Sequence, residues 1–142
     1  MNTLLVTATA ESTGKTAVAI ALGRLAQARD RSVGYMKPKG TRLQSHVGKT
    51  LDRDPMLARE LLGTDDEMHE MEPIVYSPTF VRSAMEGREV PADLHERVRE
   101  GFGAVREGRD FVVVEGGGRL TTGGVVDLTD ADVADLLDAE VV

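Results

Sequence analysis

The chain has 142 residues, no cysteine and a formal net charge of −7. This length fits one domain that can bury a hydrophobic core. The lack of cysteine excludes disulfides and thiolate metal sites. The acidic charge argues against general nucleic-acid binding, which needs a basic face. The three histidines, His46, His69 and His95, do not have the spacing of metal ligands.

The sequence shows neither a signal-peptide pattern nor an apolar run long enough to span a membrane. We therefore expect a cytoplasmic protein with neither membrane nor nucleic-acid partners. Only four of the 17 basic residues are lysine, and the aromatic content is 4%. An acidic surface poor in lysine is typical of proteins from salt-loving organisms, but high-GC codon bias would produce the same composition.

Strand-like and helix-like patterns alternate along the chain. In chain order the predicted elements are a strand at 3–7, a helix at 15–29, a strand at 32–37, a polar loop at 39–51, a helix from 54 to 62, an acidic connector at 64–72, a short strand at 73–76, a helix between 77 and 87, a helix at 91–107, a fully apolar strand at 111–114, a helix at 130–138 and a strand at 139–142. This alternation predicts an α/β fold with a mainly parallel sheet that is covered on both faces.

The most informative motif follows the first predicted strand. Residues 7–16 read TATAESTGKT, so Gly14, Lys15 and Thr16 open the first predicted helix. At such a turn, backbone N–H groups and the helix dipole bind phosphate, the lysine adds positive charge, and the hydroxyl is suited to hold Mg²⁺. The loop is a variant, because Thr9 stands where the standard motif has its first glycine. The alternative is a tripeptide that only starts a helix.

A second Gly-Lys-Thr, Gly48 to Thr50, serves as an internal control. No strand is predicted before it, and the preceding residues lack a glycine-rich turn. We interpret it as a loop or a short helix start, since the tripeptide has chemical meaning only between a strand and a helix.

Two further predicted strands end in groups that carry chemistry. Lys37 ends the second strand, and Glu115 ends the apolar run and precedes a triple glycine. Because ligands of parallel sheets bind at the carboxyl ends of strands, we expect both side chains to lie near Lys15. A plain strand-end lysine is the alternative for Lys37. Asp54 is expected to cap the helix that contains Pro55, a role compatible with metal binding.

Four blocks of sequence, in order, resemble the dethiobiotin synthetase family of P-loop proteins. They are the phosphate loop at 7–16, VGYMKPKGT at 33–41, DRDP at 52–55 with ELLG at 60–63, and VVEGGG at 113–118. Within that family they are most similar to the N-terminal dethiobiotin-synthetase-like domain of some phosphate acetyltransferases and related archaeal proteins. The resemblance implies a three-layer P-loop NTPase fold, with residues 1–142 as one domain.

The same resemblance implies a ligand set. Mg²⁺ would be held by Thr16, Asp54 and Glu115, and the transferred phosphoryl group would be neutralised by Lys15 and Lys37. ATP would be bound by a set of residues that comprises Ser12, Thr13, Gly14, Lys15, Thr16, Glu115, Gly116 and Gly117. In dethiobiotin synthetases, the positions of Lys37 and Thr41 contact the carbamylated diamine substrate. Asp52 is expected to be either a supporting acid or part of the helix cap.

Three functions compete at this point. The first is a nucleotide-sensing, regulatory domain that binds Mg–ATP. It is favoured because Ala8 and Ala10 replace a glycine and an aspartate of the family's phosphate loop, while the lysine, threonine and carboxylates remain. The second is an ATP-dependent ligase that acts through a carboxyl-phosphate intermediate, and the third is a structural module. The preference for ATP over GTP comes from the resemblance alone.

The last four residues, 139–142, read like the beginning of a buried strand. We therefore expect the sequence to be the N-terminal part of a longer protein with a following domain, and a terminal edge strand is the alternative. We also expect a homo-oligomer, because members of the family pair across the phosphate site.

Overall fold

The computed structural model describes residues 2–46 and 49–142. A short 3₁₀ turn, Gly124–Val126, precedes the last helix. The strands are β1 (Asn2–Val6), β2 (Val33–Met36), β3 (Lys39–Gly40), β4 (Leu43–His46), β5 (Lys49–Asp52), β6 (Ile74–Val75), β7 (Phe111–Glu115) and β8 (Glu140–Val141). The helices are α1 (Lys15–Gln27), α2 (Arg53–Leu62), α3 (Met68–Met71), α4 (Pro78–Met85), α5 (Pro91–Arg106) and α6 (Asp130–Leu137).

The central sheet is parallel and has the strand order β2-β7-β1-β8. β7 lies inside it, and Val112, Val113 and Val114 have no exposed surface. An apolar run with no polar face is the pattern of a strand that is covered on both sides. The predictions of a parallel sheet and of this central strand are therefore confirmed.

Helices cover both faces of the sheet. On β2, a Cβ added to Gly23 of α1 would lie 3.4 Å from Val33, while one added to Gly34 would lie 2.8 Å from Val105 of α5. Neighbouring residues of a strand point to opposite faces, so α1 and α5 lie on opposite sides. α2 packs with α1, and α6 packs with α5. The molecule thus has the three layers that the family resemblance implies.

The helical spacing of the larger apolar side chains of α1 predicts a buried stripe of Val18, Leu22 and Leu25, and the observed buried face differs from it. Val18 is 45% exposed and Leu25 is 51% exposed. The buried positions are instead Ala19, Ile20 and Gly23. Small residues let α1 approach the sheet and α2 closely, and Val18 and Leu25 are left on the outer face. By contrast, the stripe that the same spacing predicts for α5 is buried, with Leu94, Val98, Phe102 and Val105 all at most 6% exposed.

The predicted polar loop at 39–51 is wrong. β3 pairs in parallel with β6, and β4 and β5 form an antiparallel hairpin in which Leu43 faces Asp52 and Ser45 faces Thr50. The second Gly-Lys-Thr is therefore neither a loop nor a helix start at its last two residues, which belong to β5. Gly48 lies outside the described residues.

Smaller corrections concern helix ends and the last strand. The cap of α2 is Asp52 rather than Asp54, since the Asp52 carboxylate accepts a hydrogen bond from the Asp54 backbone N–H at 2.8 Å. The acidic connector contains the short helix α3. β8 pairs with β1 at the edge of the sheet, where Val141 is 56% exposed, so it is not buried.

Among residues 2–46 and 49–142, no helix has the length and apolarity that a membrane crossing requires.

Candidate functional site

The carboxyl ends of β1, β2 and β7 open into one cavity of about 690 Å³. This volume is within the range of small-molecule sites, about 300–1,000 Å³. Its walls come from the loop after β1, the N-terminal half of α1, the residues that follow β2 and β3, one side of α2, and the end of β7 with the loop after it. The lining residues are Glu11, Ser12, Thr13, Gly14, Lys15, Thr16, Ala17, Ile20, Lys37, Thr41, Arg42, Arg53, Asp54, Leu57, Leu61, Glu115 and Gly118.

The loop after β1 presents the N-terminus of α1 to this cavity. Gly14 precedes the helix with a φ of 94°, a left-handed conformation that glycine adopts without strain. No side chain caps α1, and its first turn carries no acidic residue. The backbone N–H groups and the positive end of the helix dipole therefore face the cavity uncompensated, which favours an anion. The Lys15 ammonium lies across the loop and donates to the Gly118 carbonyl at 3.0 Å.

Glu115 is buried at the end of β7 and both of its oxygens have partners. The Thr16 hydroxyl donates to Oε1 at 2.5 Å, and the Tyr35 hydroxyl donates to Oε2. Burial raises the pKa of Glu115, and the nearby Lys37 charge and these hydrogen bonds offset only part of that rise. Tyr35 in β2 and Lys37, the residue after β2, thus place a hydroxyl on this carboxylate and a positive charge near it.

Lys37 is 1% exposed and is held between two carboxylates. Its Nζ lies 2.7 Å from Asp52 Oδ2 and 2.8 Å from Asp54 Oδ2. Burial alone would lower the pKa of Lys37, but the Asp52 and Glu115 charges outweigh it and the net pKa is raised. The raised pKa favours the charged ammonium, which therefore adds positive charge to the cavity wall.

Asp52 organises the turn that leads into α2. Besides Lys37, its carboxylate accepts from the backbone N–H groups of Thr41 and Arg42 at 2.9 and 2.8 Å. Its own backbone N–H donates to Glu72 Oε2 at 2.8 Å, and Glu72 Oε1 is buried without a hydrogen-bond partner among the described residues. Burial raises the pKa of Glu72 to about 7. Two buried acids therefore lie near the Lys37 charge: Asp52 contacts it directly, and Glu72 lies next to Asp52.

A second buried ion pair, Lys39 with Asp130, lies next to the end of β7. Lys39 Nζ donates to the Leu128 carbonyl at 2.7 Å and lies 3.4 Å from Asp130 Oδ1. Burial lowers the pKa of Lys39, and the Asp130 charge offsets part of that effect. Asp130 also accepts from the Thr7 hydroxyl at 2.5 Å and from the Gly117 N–H at 3.2 Å. One carboxylate thereby ties the ends of β1 and β7 together.

The residues proposed for Mg²⁺ have suitable chemistry. Thr16, Asp54 and Glu115 offer a hydroxyl and two carboxylates to the same cavity, which are the hard oxygen donors that Mg²⁺ prefers while keeping waters and phosphate oxygens. Within the described ranges there is no group of three or more His, Cys, Asp or Glu that could hold a metal by itself.

Comparison with known proteins agrees with this geometry. The model of an AAA domain family matches residues 2–142. The chain is also 35% identical, over 124 residues, to a protein of Frankia casuarinae named ATP-dependent dethiobiotin synthetase BioD. The chain belongs to the dethiobiotin synthetase-like P-loop family. The alignment covers 84% of this chain and 48% of the relative, so the chain spans about half the length of that relative.

In this dethiobiotin synthetase-like domain, most of the residues singled out from the sequence share one cavity. Ser12 to Thr16, Lys37, Asp54 and Glu115 all line it. Gly116 and Gly117 do not line it. A Cβ on Gly116 would lie 2.2 Å from Asp130 Oδ2, so this glycine makes room for the carboxylate behind the strand. Gly118 lines the cavity instead.

The sequence analysis did not identify several residues in or next to this site. Tyr35 could have been found from its two-residue spacing to Lys37. Arg42 and Arg53 border the cavity, but exposed arginines carry no distinctive signal. The Lys39–Asp130 pair joins residues 91 positions apart, and no local pattern reveals such a contact.

Proposed function

We propose that this domain binds a nucleoside triphosphate with Mg²⁺, and that the nucleotide is ATP. The carrying observation is the shared cavity, in which Lys15, Lys37 and the open N-terminus of α1 provide positive charge beside Thr16 and Glu115. The name of the Frankia relative, an ATP-dependent enzyme, supports the choice of ATP.

Each group has a distinct part in this proposal. The loop N–H groups and Lys15 bind the phosphates, and Thr16, Asp54 and Glu115 hold Mg²⁺. Lys37 faces the outermost phosphate, where a buried positive charge stabilises charge that develops during transfer. Bound Mg²⁺ neutralises phosphate oxygens. To hold the metal, Asp54 would have to release part of its ion pair with Lys37.

We further propose that the domain senses nucleotide as the N-terminal regulatory part of a phosphate acetyltransferase-like protein that acts in the cytoplasm as a homo-oligomer. The replacements Ala8 and Ala10 in the phosphate loop support sensing over turnover, because the lysine and Mg²⁺ set is kept while the loop around it is altered. Light scattering with and without Mg–ATP measures the oligomer. A monomer under both conditions would contradict that part of the proposal.

The binding claim is tested by isothermal titration of ATP into the chain, with and without Mg²⁺, at low and molar salt. Wild type is expected to bind, and to bind more tightly with Mg²⁺. Lys15→Ala is expected to lower the affinity by about tenfold or more, since charge-assisted contacts are worth roughly 1.5–3 kcal/mol. Lys49→Ala, the same change in the second Gly-Lys-Thr, is the matched control. Equal affinities for both variants, or none for a folded wild type, would refute the proposal.

The second candidate is an ATP-dependent ligase, which is favoured by Thr41 and Lys37 in the same cavity. In such a reaction a substrate carboxylate or carbamate oxygen attacks the γ-phosphorus. The bond to the bridging oxygen breaks, and ADP leaves with that electron pair. The acyl phosphate then reacts with an amine and releases phosphate. ADP release that is stimulated by a diamine and bicarbonate favours the ligase, and release that stays at the level of solvent hydrolysis favours the sensor.

A further inference from the structure

We propose that Asp52 is a positioning residue that keeps Lys37 in place when Asp54 turns to the metal, and that Glu72 anchors Asp52 in that position. Both aspartates contact the Lys37 ammonium. In this proposal they have different roles, because Asp52 stays on the lysine and Asp54 exchanges the lysine for Mg²⁺. The inference rests on the proposed function, since it needs a metal–nucleotide complex in the cavity.

The Asp52 carboxylate is fixed by backbone hydrogen bonds from two directions. Its residue is fully buried, and Oδ1 accepts from the Asp54 N–H at 2.8 Å. Oδ2 accepts from the N–H groups of Thr41 and Arg42 at 2.9 and 2.8 Å. The same Oδ2 lies 2.7 Å from Lys37 Nζ. If the carboxylate turned away, three backbone donors would lose their acceptor along with the lysine.

The Asp54 carboxylate is held less firmly. Its Oδ2 lies 2.8 Å from Lys37 Nζ, but its Oδ1 has only long contacts, at 3.5 and 3.9 Å, to the guanidinium groups of Arg42 and Arg53. Those two side chains are 42% and 54% exposed, so solvent weakens both contacts. Asp54 lines the cavity, whereas Asp52 does not. Asp54 is therefore the carboxylate that can turn to a cation in the cavity.

Residues 71 and 72 fix the backbone of both members of the Asp52–Lys37 pair. Glu72 is 3% exposed, and its Oε2 accepts from the Asp52 N–H at 2.8 Å. The Met71 carbonyl accepts from the Lys37 N–H at 2.8 Å. Gly40 leaves the space for this arrangement, because a Cβ there would lie 2.5 Å from Glu72 Cδ. The segment thus sets the distance between the Asp52 carboxylate and the lysine.

The arrangement lets the metal bind without stranding a buried charge. If Asp54 leaves, Lys37 keeps the Asp52 carboxylate as its partner, so the lysine stays compensated and in place. Glu115 could not replace Asp52 as that partner, since both of its oxygens accept from hydroxyl groups. Without the Asp52 charge, Asp54 would be the one carboxylate in contact with Lys37, and metal binding would compete with the ion pair.

The test compares the affinity for ADP with and without Mg²⁺, measured by calorimetry, and takes the ratio of the two as the metal enhancement. Asp52→Asn keeps the shape of the side chain and one acceptor oxygen but removes the charge. We expect the affinity for ADP alone to be kept or raised, and the metal enhancement to fall about tenfold or to disappear, which is the ratio that one charge-assisted hydrogen bond provides. A loss of stability alone would lower both affinities by the same factor.

Matched variants separate this role from general damage. Asp66→Asn removes another buried carboxylate, which lies 2.9 Å from the Arg109 guanidinium outside the cavity, and should leave the metal enhancement unchanged. Glu72→Met removes the acceptor of the Asp52 N–H and should lower the enhancement. Glu72→Gln keeps an acceptor and should retain it. Equal effects of Met and Gln at this position would refute the anchoring role of Glu72.

The ammonium signals of the lysines give a direct view of the pair. Lys37 and Lys39 are each 1% exposed, so both ammonium groups should exchange slowly enough for a ¹H–¹⁵N spectrum, and Lys39→Met assigns them. The Lys37 signal should persist when Mg–ADP is added to wild type, and Asp52→Asn should shift it while leaving Lys39 unchanged. Loss of the wild-type Lys37 signal on addition of Mg–ADP would overturn the proposal.

The outcomes distinguish this inference from the proposed function. If Mg²⁺ enhances ADP binding equally in wild type and Asp52→Asn, the proposed function stands and the positioning role is refuted. If the enhancement falls in Asp52→Asn but the Lys37 signal does not shift, Asp52 acts without the lysine, and the role is refuted as well. If folded wild type binds no nucleotide, the proposed function fails and this role fails with it.

Discussion

Removal of the Lys39 charge should be one of the most damaging single changes outside the nucleotide cavity. Lys39 is 1% exposed, and its Nζ donates to the carbonyls of Thr122 at 2.5 Å and Leu128 at 2.7 Å beside Asp130. Lys39→Met keeps most of the side-chain volume. It leaves the Asp130 carboxylate, which is 3% exposed, without its cation, and leaves two carbonyls without a donor.

The expected cost follows from that geometry. Breaking a buried ion pair by removing one partner costs roughly 3–5 kcal/mol, because an uncompensated charge stays buried. Asp130 keeps the Thr7 hydroxyl and the Gly117 N–H as donors, so we expect the lower half of that range, about 3–4 kcal/mol. A domain of this size has about 5–15 kcal/mol of stability, so the variant should still fold.

Urea unfolding followed by circular dichroism measures this cost. With a slope of roughly 2 kcal/mol per M, the midpoint should fall by about 1.5–2 M. The double variant Lys39→Met/Asp130→Asn removes both charges, so its loss should be smaller than the sum of the two single losses by about 1–3 kcal/mol. A midpoint shift under about 0.5 M for Lys39→Met, or additive losses, would contradict a stabilising Lys39–Asp130 pair.

Two further predictions concern buried groups near the site. Burial raises the pKa of Glu72 in the folded chain to about 7. Between about pH 4.5 and 7 the unfolded chain therefore binds fewer protons at Glu72 than the folded chain does. The free energy of unfolding consequently falls by up to about 3 kcal/mol as the pH rises through that window. Glu72→Gln should lose that decline in urea titrations at several pH values, and an unchanged pH profile would contradict it. Gly116→Ala should lower the free energy of unfolding by about 1–3 kcal/mol, because the new Cβ would overlap Asp130. Thermal unfolding measures this loss. Gly103→Ala, in open space on α5, should be neutral or stabilising, and equal losses for both glycines would contradict the steric argument.

The sequence predicted the fold where local pattern and tertiary position agree. The apolar run ending at Glu115 could only be an inner strand, and Gly14 and Gly63 mark helix ends through their left-handed backbone. Because ligands of parallel sheets bind at the carboxyl ends of strands, the sequence also predicted that Lys37 and Glu115 share a site with Lys15, and all three line the same cavity.

The rest depended on contacts that local sequence does not encode. β4 and β5 are polar strands with little buried surface, so no alternation distinguishes them from a loop. The buried face of α1 uses Ala19 and Gly23, whose size matters only because α2 and the sheet come close. The network around Asp130 joins four distant segments, and its members look like ordinary surface residues in the sequence.

The most direct test of the central claim is the ¹H–¹⁵N correlation spectrum of the chain during titration with ADP and Mg²⁺. Glycine amides resonate apart from most others and report the phosphate loop without a variant. We predict a saturable shift of the Gly14 amide and its loop neighbours, and a smaller one at Gly118, which lines the same cavity. Gly63 and Gly108, which lie in turns outside the cavity, should not move. Saturable shifts elsewhere with Gly14 unchanged, or no shift in a folded sample, would contradict nucleotide binding at the loop before α1.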